Sequence, residues 1–413
     1  MKAANKLASK DTQNLIVILC WCVYSSSYFG RYSFSSSINS VIGEYGISKA
    51  DTGLVMTCFF IAYGIGQVVN GFLCKRYSPR YTFPIALGGS ALINIFLFFL
   101  VKTGYLGQLF FLVKYIWFLN GAVLSLIWTS LIYILGKNIE ETNLPRAIVA
   151  VGTTVPAGTF LAYSISSLLE KLGLYEWSFL LATILMSAVA LAWLTLFSPH
   201  KREDVLPTES GAEEKRKRGI SRNALIIFAG VSIFAMANNF LKDGLQTWIP
   251  TILKDTYKFS NAKSLLLATS IYIFGVSGVF IVKKLHDKIS DLILLTTVFF
   301  AAACIFIAAI KLLLNVSSLA VSLIFIALMI IGYGVNNIAT SVAPLAFRDE
   351  MNPGAIAGVI DGFCYVGSAA STYTLGFVAD RSGWSAVILL LLITTAAATV
   401  IPFLLNFFKK KKQ

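Results

Sequence analysis

Long apolar runs alternate with short charged or turn-rich gaps from one end of the chain to the other. A helix needs about 20 apolar residues to cross the hydrocarbon layer, and cutting at the gaps leaves about twelve such runs. They are 13–38, 50–74, 81–101, 107–136, 145–168, 176–198, 223–252, 262–283, 290–311, 317–347, 353–379 and 383–408. Backbone N–H and C=O groups have no water partners in lipid, so each run is expected to be helical. The one long polar interruption, 199–222, is dense in charge and contains Pro207 and Gly211, which oppose continuous helix. We therefore expect an all-α membrane protein with two bundles of about six helices each. Residues 1–198 form one bundle and 223–413 the other, with 199–222 as a cytoplasmic linker.

Composition agrees with that pattern. The 413 residues are 57% hydrophobic and only 13% charged, about half the charge of a soluble domain. The formal net charge of +14 would suggest nucleic acid in a soluble chain. Here most Lys and Arg fall in alternate gaps, including Lys75, Arg76, Arg80, Lys137, Arg146, Lys215, Arg216, Lys217, Arg218, Lys283, Lys284 and Arg348. That bias predicts cytoplasmic N- and C-termini in a multi-pass protein of the cell membrane, with lipid and no nucleic acid as partner. The first apolar run is too long for a signal peptide and lacks a small-residue cleavage site, so it is read as a retained span. The six cysteines lie within spans or at their ends without metal-site spacing, and the two histidines, His200 and His286, lie in gaps. No cofactor, metal or catalytic constellation is expected, and the chain is read as a monomer that is not an enzyme.

Polar positions inside the spans change the picture. Arg or Lys near a bilayer centre costs about 2.5–3.5 kcal/mol on insertion scales, yet Arg31 and Lys242 occupy matching places in the span that opens each half. Residues three or four apart share a helix face. Tyr24, Ser27, Tyr28, Arg31 and Ser35 form one stripe, and Asn238, Asn239, Lys242 and Gln246 another. Tyr63, Gln67 and Asn70 follow in span two, Tyr333 and Asn337 with Asn336 in span ten, and Asp361, Tyr365 and Ser368 in span eleven. Such stripes fit a shared aqueous cavity; interhelical hydrogen bonding, about 0.6 kcal/mol per contact, is the alternative for the lone Asn and Ser residues. Asp243 adjoins Lys242, but neighbours on a helix point about 100° apart, so a direct contact is expected to be poor. Asp361 is expected to rest in an ion pair with one of the two cations. Lys114 is expected to snorkel at the end of its span.

The loop Gly71 to Arg80 (GFLCKRYSPR) resembles the major facilitator superfamily signature, with Lys75 where that family usually has Asp. Gly278 to Lys288 (GVFIVKKLHDK) looks like a second copy. The stretches YFGRYSFSSSI, FFIAYGIGQVVNGFLCKRYSPR, NNFLKDGLQTWIPTIL and GYGVNNIATSVAPLAF, with NPGAIAGVIDGFCYVGSAASTYTLGFVADRSGW, are similar to the organophosphate:phosphate antiporters of that superfamily. The resemblance implies its twelve-helix fold and phosphate binding by one basic residue from span one and one from span seven. Arg31 matches the first; Lys242 stands at the second, where the family usually has Arg. Tyr63 and Trp128 match cavity aromatics. Gln67, Thr153 and Tyr272 stand where the glycerol-phosphate branch has Lys, His and an acidic residue. Gly30 stands where the organic-anion:cation symporters have a proton-carrying Asp.

The expected site is thus Arg31, Lys242, Tyr28, Tyr63, Gln67, Trp128, Asn239, Tyr333, Asn337, Asp361 and Tyr365. It would hold a small organic anion, such as a sugar phosphate or glycerol phosphate, moved by alternating access as an exchanger. A carboxylate carrier and a non-transporting sensor of a phosphorylated sugar are the alternatives.

Overall fold

The computed structural model describes residues 10–73, 78–140, 142–197, 222–286, 288–289, 292–342 and 353–410. Lys75, Arg76, Asp287 and nearly all of the linker lie outside them. Every regular element among the described residues is helical. In chain order these are α1 (Lys10–Tyr45), α2 (Lys49–Leu73), α3 (Pro79–Lys102), α4 (Phe110–Leu124), α5 (Leu126–Asn138), α6 (Leu144–Gly152), α7 (Thr154–Lys171) and α8 (Trp177–Leu196). After the linker come α9 (Arg222–Tyr257), α10 (Asn261–Gly275), α11 (Ser277–His286), α12 (Leu292–Leu313) and α13 (Ser318–Asn337). A π turn (Ile338–Val342) and α14 (Pro353–Lys410) complete the chain. At Gly383 the backbone of α14 turns non-helical, with φ 72° and ψ 176°, so α14 is two spans in sequence.

Several expected spans are interrupted once within the membrane, each for a local reason. Between α4 and α5 the Ser125 hydroxyl bonds back to the Ala122 carbonyl at 2.6 Å, competing with the helical ladder. Between α6 and α7, Pro156 has no N–H to offer the turn before it. Between α10 and α11, Val276 lies among Gly275 and Gly278, residues that hold helix weakly. The joined segments still read as single crossings: Phe110–Asn138, Arg146–Lys171 and Asn261–Val282 are each long and apolar enough to span.

Among the described residues, nine helices pass that length-and-apolarity test, and one of them, Gly358–Val400, contains the Gly383 break. α1 and α9 are not among the nine. They are long enough at 36 residues each, but they carry the polar stripes. The two least lipid-like helices are therefore the ones placed inside: Ser25, Ser26, Ser27, Ser35 and Asn39 of α1, and Asn238, Asn239 and Gln246 of α9, are all buried.

Contacts between the helices before and after the linker concentrate at one end of the bundle. Lys49 pairs with Asp255 at 3.2 Å and Asp380 at 3.8 Å, and Ala50 N–H donates to Asp380 at 2.7 Å. Lys254 donates to the Asn39 carbonyl, Asn261 to Ser40 and Glu170, and Ser167 to the Ala262 carbonyl. Thr57 donates to the Ala369 carbonyl at 2.6 Å. All lie where α1, α7 and α9 end and α2 and α10 begin. Toward the opposite end α7 and α10 part, leaving a crevice of about 490 Å³ lined by Thr153, Pro156, Ala157, Phe160, Leu161, Ile273 and Val276. The two halves are tied by polar contacts at one end, and toward the other they part between α7 and α10.

Candidate functional site

Arg31 lies midway along α1, with its guanidinium carbon 5.5 Å from the Phe59 and Phe60 ring centres, 5.1 Å from Tyr63 and 5.7 Å from Tyr32. α2 supplies three of these rings because 59, 60 and 63 fall on one helix face. Ring faces attract a cation, about 0.5–2 kcal/mol each, but do not neutralise it. The Arg31 Nε is buried with no hydrogen-bond partner, and no described carboxylate lies within ion-pair distance of it.

Lys242 on α9 behaves differently. Its ammonium sits 2.5 Å from Asp243 Oδ1 and 5.4 Å from the Tyr333 ring centre. Asp243 Oδ2 in turn accepts a 2.5 Å hydrogen bond from Ser368 of α14. This corrects the expectation that adjacent positions on α9 would not meet. The 100° offset fixes where the Cβ atoms point, whereas the four torsions of a lysine let its end fold back to its neighbour. Asp243 is buried at 7% exposure, so a bare carboxylate there would be costly and the pairing compensates it.

Asp361 is a second correction: it makes no ion pair with Arg31 or Lys242 among the described residues. It lies on α14 one turn before Tyr365, whose ring is 5.0 Å from Tyr63. That contact is close because Gly64 of α2 has no side chain; a Cβ there would come within 2.7 Å of Tyr365 Cβ.

The other expected residues fall into two groups. Tyr28 stacks edge-on against Tyr24 at 5.3 Å, and Tyr24 lies 5.1 Å from Trp128, extending the Arg31 cage along α1. Gln67 is buried one turn beyond Tyr63. Asn239 donates to the Ala235 carbonyl and to Asn336 of α13 at 3.2 Å, so it serves helix pairing, and Asn337 is the last residue of α13. Asn238 donates to the Gly332 carbonyl and Asn70 to Ser125, also as interhelical contacts.

Sequence reasoning missed the roof of the site. Gln246 Nε2 donates to the Tyr32 hydroxyl at 2.8 Å, and Tyr272 donates to the Gln246 carbonyl at 2.6 Å. Tyr163 packs 5.2 Å from Tyr32 and 5.4 Å from Tyr272. This layer joins α1, α7, α9 and α10. Tyr32 follows Arg31, and Gln246 comes one turn after Lys242, about 6 Å along the axis, so both cations lie just below the layer, on the side where the bundle divides. The stripe periodicity did contain Gln246. Tyr163 carried no signal, because a buried tyrosine in an apolar span reads as packing, and Tyr272 stood out only as the replacement of an acidic residue in the glycerol-phosphate branch.

The family profile of the Major Facilitator Superfamily matches residues 20–372. The chain belongs to this superfamily. It is a multi-pass membrane protein of a family of transporters, which are not enzymes. Over 396 residues it is 22% identical to the glycerol-3-phosphate transporter of Bacillus subtilis strain 168, covering 88% of this chain and 85% of that one. Over 80 residues it is 34% identical to the membrane sensor protein UhpC of Escherichia coli K12, covering 19% of this chain and 18% of the relative. A probable hexose phosphate transport protein of Chlamydia pneumoniae is 34% identical over 73 residues, covering 18% and 16%. These last two alignments span less than a fifth of the relatives' lengths. In fold, this superfamily member superposes on a bacterial homologue of the human lysosomal transporter Spinster, in an inward-facing and occupied conformation. The TM-score is 0.75 at 14% identity, with 96% and 97% of the two chains covered. A D-xylose–proton symporter gives 0.73 at 12% identity.

Proposed function

We propose that this transporter moves a small organic anion, an organophosphate such as a sugar phosphate or glycerol phosphate, by alternating access between its two bundles. The observation that carries the reading is Arg31: a guanidinium with no carboxylate partner among the described residues, its Nε unpartnered, caged by rings just under the Tyr32–Gln246 layer. A phosphate ester supplies oxygens for the guanidinium fork, while Tyr24, Tyr28 and Trp128 offer faces to its carbon skeleton. Names of relatives that include hexose phosphate and glycerol 3-phosphate support the same class. The positive-inside bias supports cytoplasmic termini in the cell membrane, so the sealed end faces outward and the divided end opens to the cytoplasm. Exchange is the faster transport mode we assign, since Arg31, uncompensated when the site is empty, slows but does not forbid the passage of the empty carrier through a water-poor state.

A carboxylate is the second reading, favoured by the Lys242–Asp243 pair, which leaves one cation of the clamp free for a singly charged ligand. Counterflow in proteoliposomes loaded with glucose 6-phosphate, glycerol 3-phosphate or gluconate tests both. Uptake of a phosphate ester that vanishes in Arg31→Ala supports the proposal. Movement of gluconate alone selects the second reading, and binding without movement makes the protein a sensor.

A further inference from the structure

We propose that Asp243 is a resident counter-anion. With the site empty, its carboxylate takes the place at Lys242 that a substrate oxygen takes in the loaded carrier, and this lets the empty protein change its facing. The inference rests on the reading of the site as an anion clamp and goes beyond it by assigning the empty state a separate residue.

Three observations carry it. The two cations are not equivalent: Arg31 has rings and no described carboxylate, whereas Lys242 is paired at 2.5 Å. The pairing carboxylate is itself held from a neighbouring helix, because Ser368 of α14 donates to its second oxygen. Asp243 therefore need not swing away when substrate arrives; Lys242, with its flexible stem, is the member that can exchange partners. Finally, Lys242 also lies over Tyr333 of α13, so the ammonium already faces a second surface to which it can turn. An occluded intermediate excludes water from the site, and a buried charge without a partner is heavily disfavoured there. In the loaded carrier the substrate supplies that partner. In the empty carrier Asp243 does, and Arg31 is cushioned by aromatic faces alone.

The consequence is a carrier that exchanges anions but also returns empty at a measurable rate. Neutralising Asp243 should slow the empty return and leave exchange running. The test uses the full-length protein in lipid nanodiscs and in proteoliposomes. In nanodiscs without ligand, amide hydrogen exchange across residues 46–60 and 366–382 reports opening of the sealed end. Asp243→Asn is expected to slow it roughly tenfold, and added glucose 6-phosphate to restore it. In proteoliposomes the ratio of net efflux to homoexchange of glucose 6-phosphate should fall by a similar factor. Asp243→Glu should behave as wild type.

The double variant Lys242→Met with Asp243→Asn separates charge balance from scaffolding. With no ammonium left to compensate, sealed-end exchange should return toward the wild-type rate, although anion affinity is lost. An Asp243→Asn protein with unchanged opening overturns the inference. So does a slow single variant that the double variant fails to rescue, which would make Asp243 a structural brace. If glucose 6-phosphate, glycerol 3-phosphate and inorganic phosphate all fail to bind the wild type, the proposed substrate class falls, while opening of the ligand-free protein still decides the role of Asp243.

Discussion

At the level of single residues, the two cations differ in what holds them, and their variants should differ accordingly. Arg31 is held by ring faces and keeps a vacant hydrogen-bonding edge, so under the proposed function its worth lies in the ligand it would meet. Arg31→Ala is expected to cost about 2–5 kcal/mol of anion binding, the usual loss when one partner of a desolvated charge pair is removed. Arg31→Lys keeps the charge but loses the planar fork and the stacking, so it should recover only part of that loss; isothermal titration with glucose 6-phosphate measures both. Equal affinity in the alanine variant would rule Arg31 out as the ligand contact. Lys242→Arg preserves charge and reach and should retain transport. The sequence made both cations conspicuous, since polar positions at helical spacing stand out in apolar spans. It did not make their partners legible: the Lys242–Asp243 contact depends on side-chain torsions that a helical wheel omits, and the solitude of Arg31 depends on where α14 places Asp361.

For the helices, spacing and composition were strong guides, because a span is defined by length and apolarity, and among the described residues every expected run is found as one helix or two consecutive ones. Two classes of feature escaped. α1 and α9 run on to Tyr45 and Tyr257, past the apolar stretches, because nothing in the polar residues that follow breaks a helix. The interruptions at Ser125, Thr153 and Val276 escaped because a chain of good helix formers hides a single competing hydroxyl or a missing N–H. Close helix approach yields a further prediction. At the sealed end a Cβ on Gly53 of α2 would sit 2.3 Å from the Thr372 carbonyl oxygen and 3.2 Å from the Trp248 ring. The obstacle is backbone, so it cannot rotate aside. Gly53→Ala should wedge α2 from α14 and favour the opposite facing. Faster amide exchange across 46–60, with normal fold by circular dichroism, is the expected result, and unchanged exchange would show that the approach is not needed for sealing.

For the whole molecule, the proposed alternating access requires the contacts that tie the two halves at one end to open, so their strength decides whether it can cycle. Their ionic part is Lys49 shared between Asp255 and Asp380, with Trp384 donating to Asp255 at 3.0 Å. These groups are partly wet: the Lys49 side chain is 20% exposed, Asp255 33% and Asp380 26%. Ion pairs at such sites contribute about 0.2–1 kcal/mol each, so the latch is one that thermal motion and substrate binding can open. A deeply buried network would instead lock the carrier. None of this was readable from the chain, because Lys49, Asp255 and Asp380 lie far apart in sequence and look like ordinary loop charges. Lys49→Ala should therefore shift the ligand-free population toward the outward-open form by a few-fold, about 1 kcal/mol, without abolishing anion binding below the Tyr32–Gln246 layer. Spin labels at the exposed positions Lys171 and Asn315, which end α7 and follow α12 on the sealed side, would report it as growth of a longer-distance population. Because exposed pairs are screened by salt, raising ionic strength should move the wild type in the same direction and leave Lys49→Ala nearly unmoved; a wild-type distribution indifferent to salt would transfer the closure to the apolar and backbone contacts of α2 with α14.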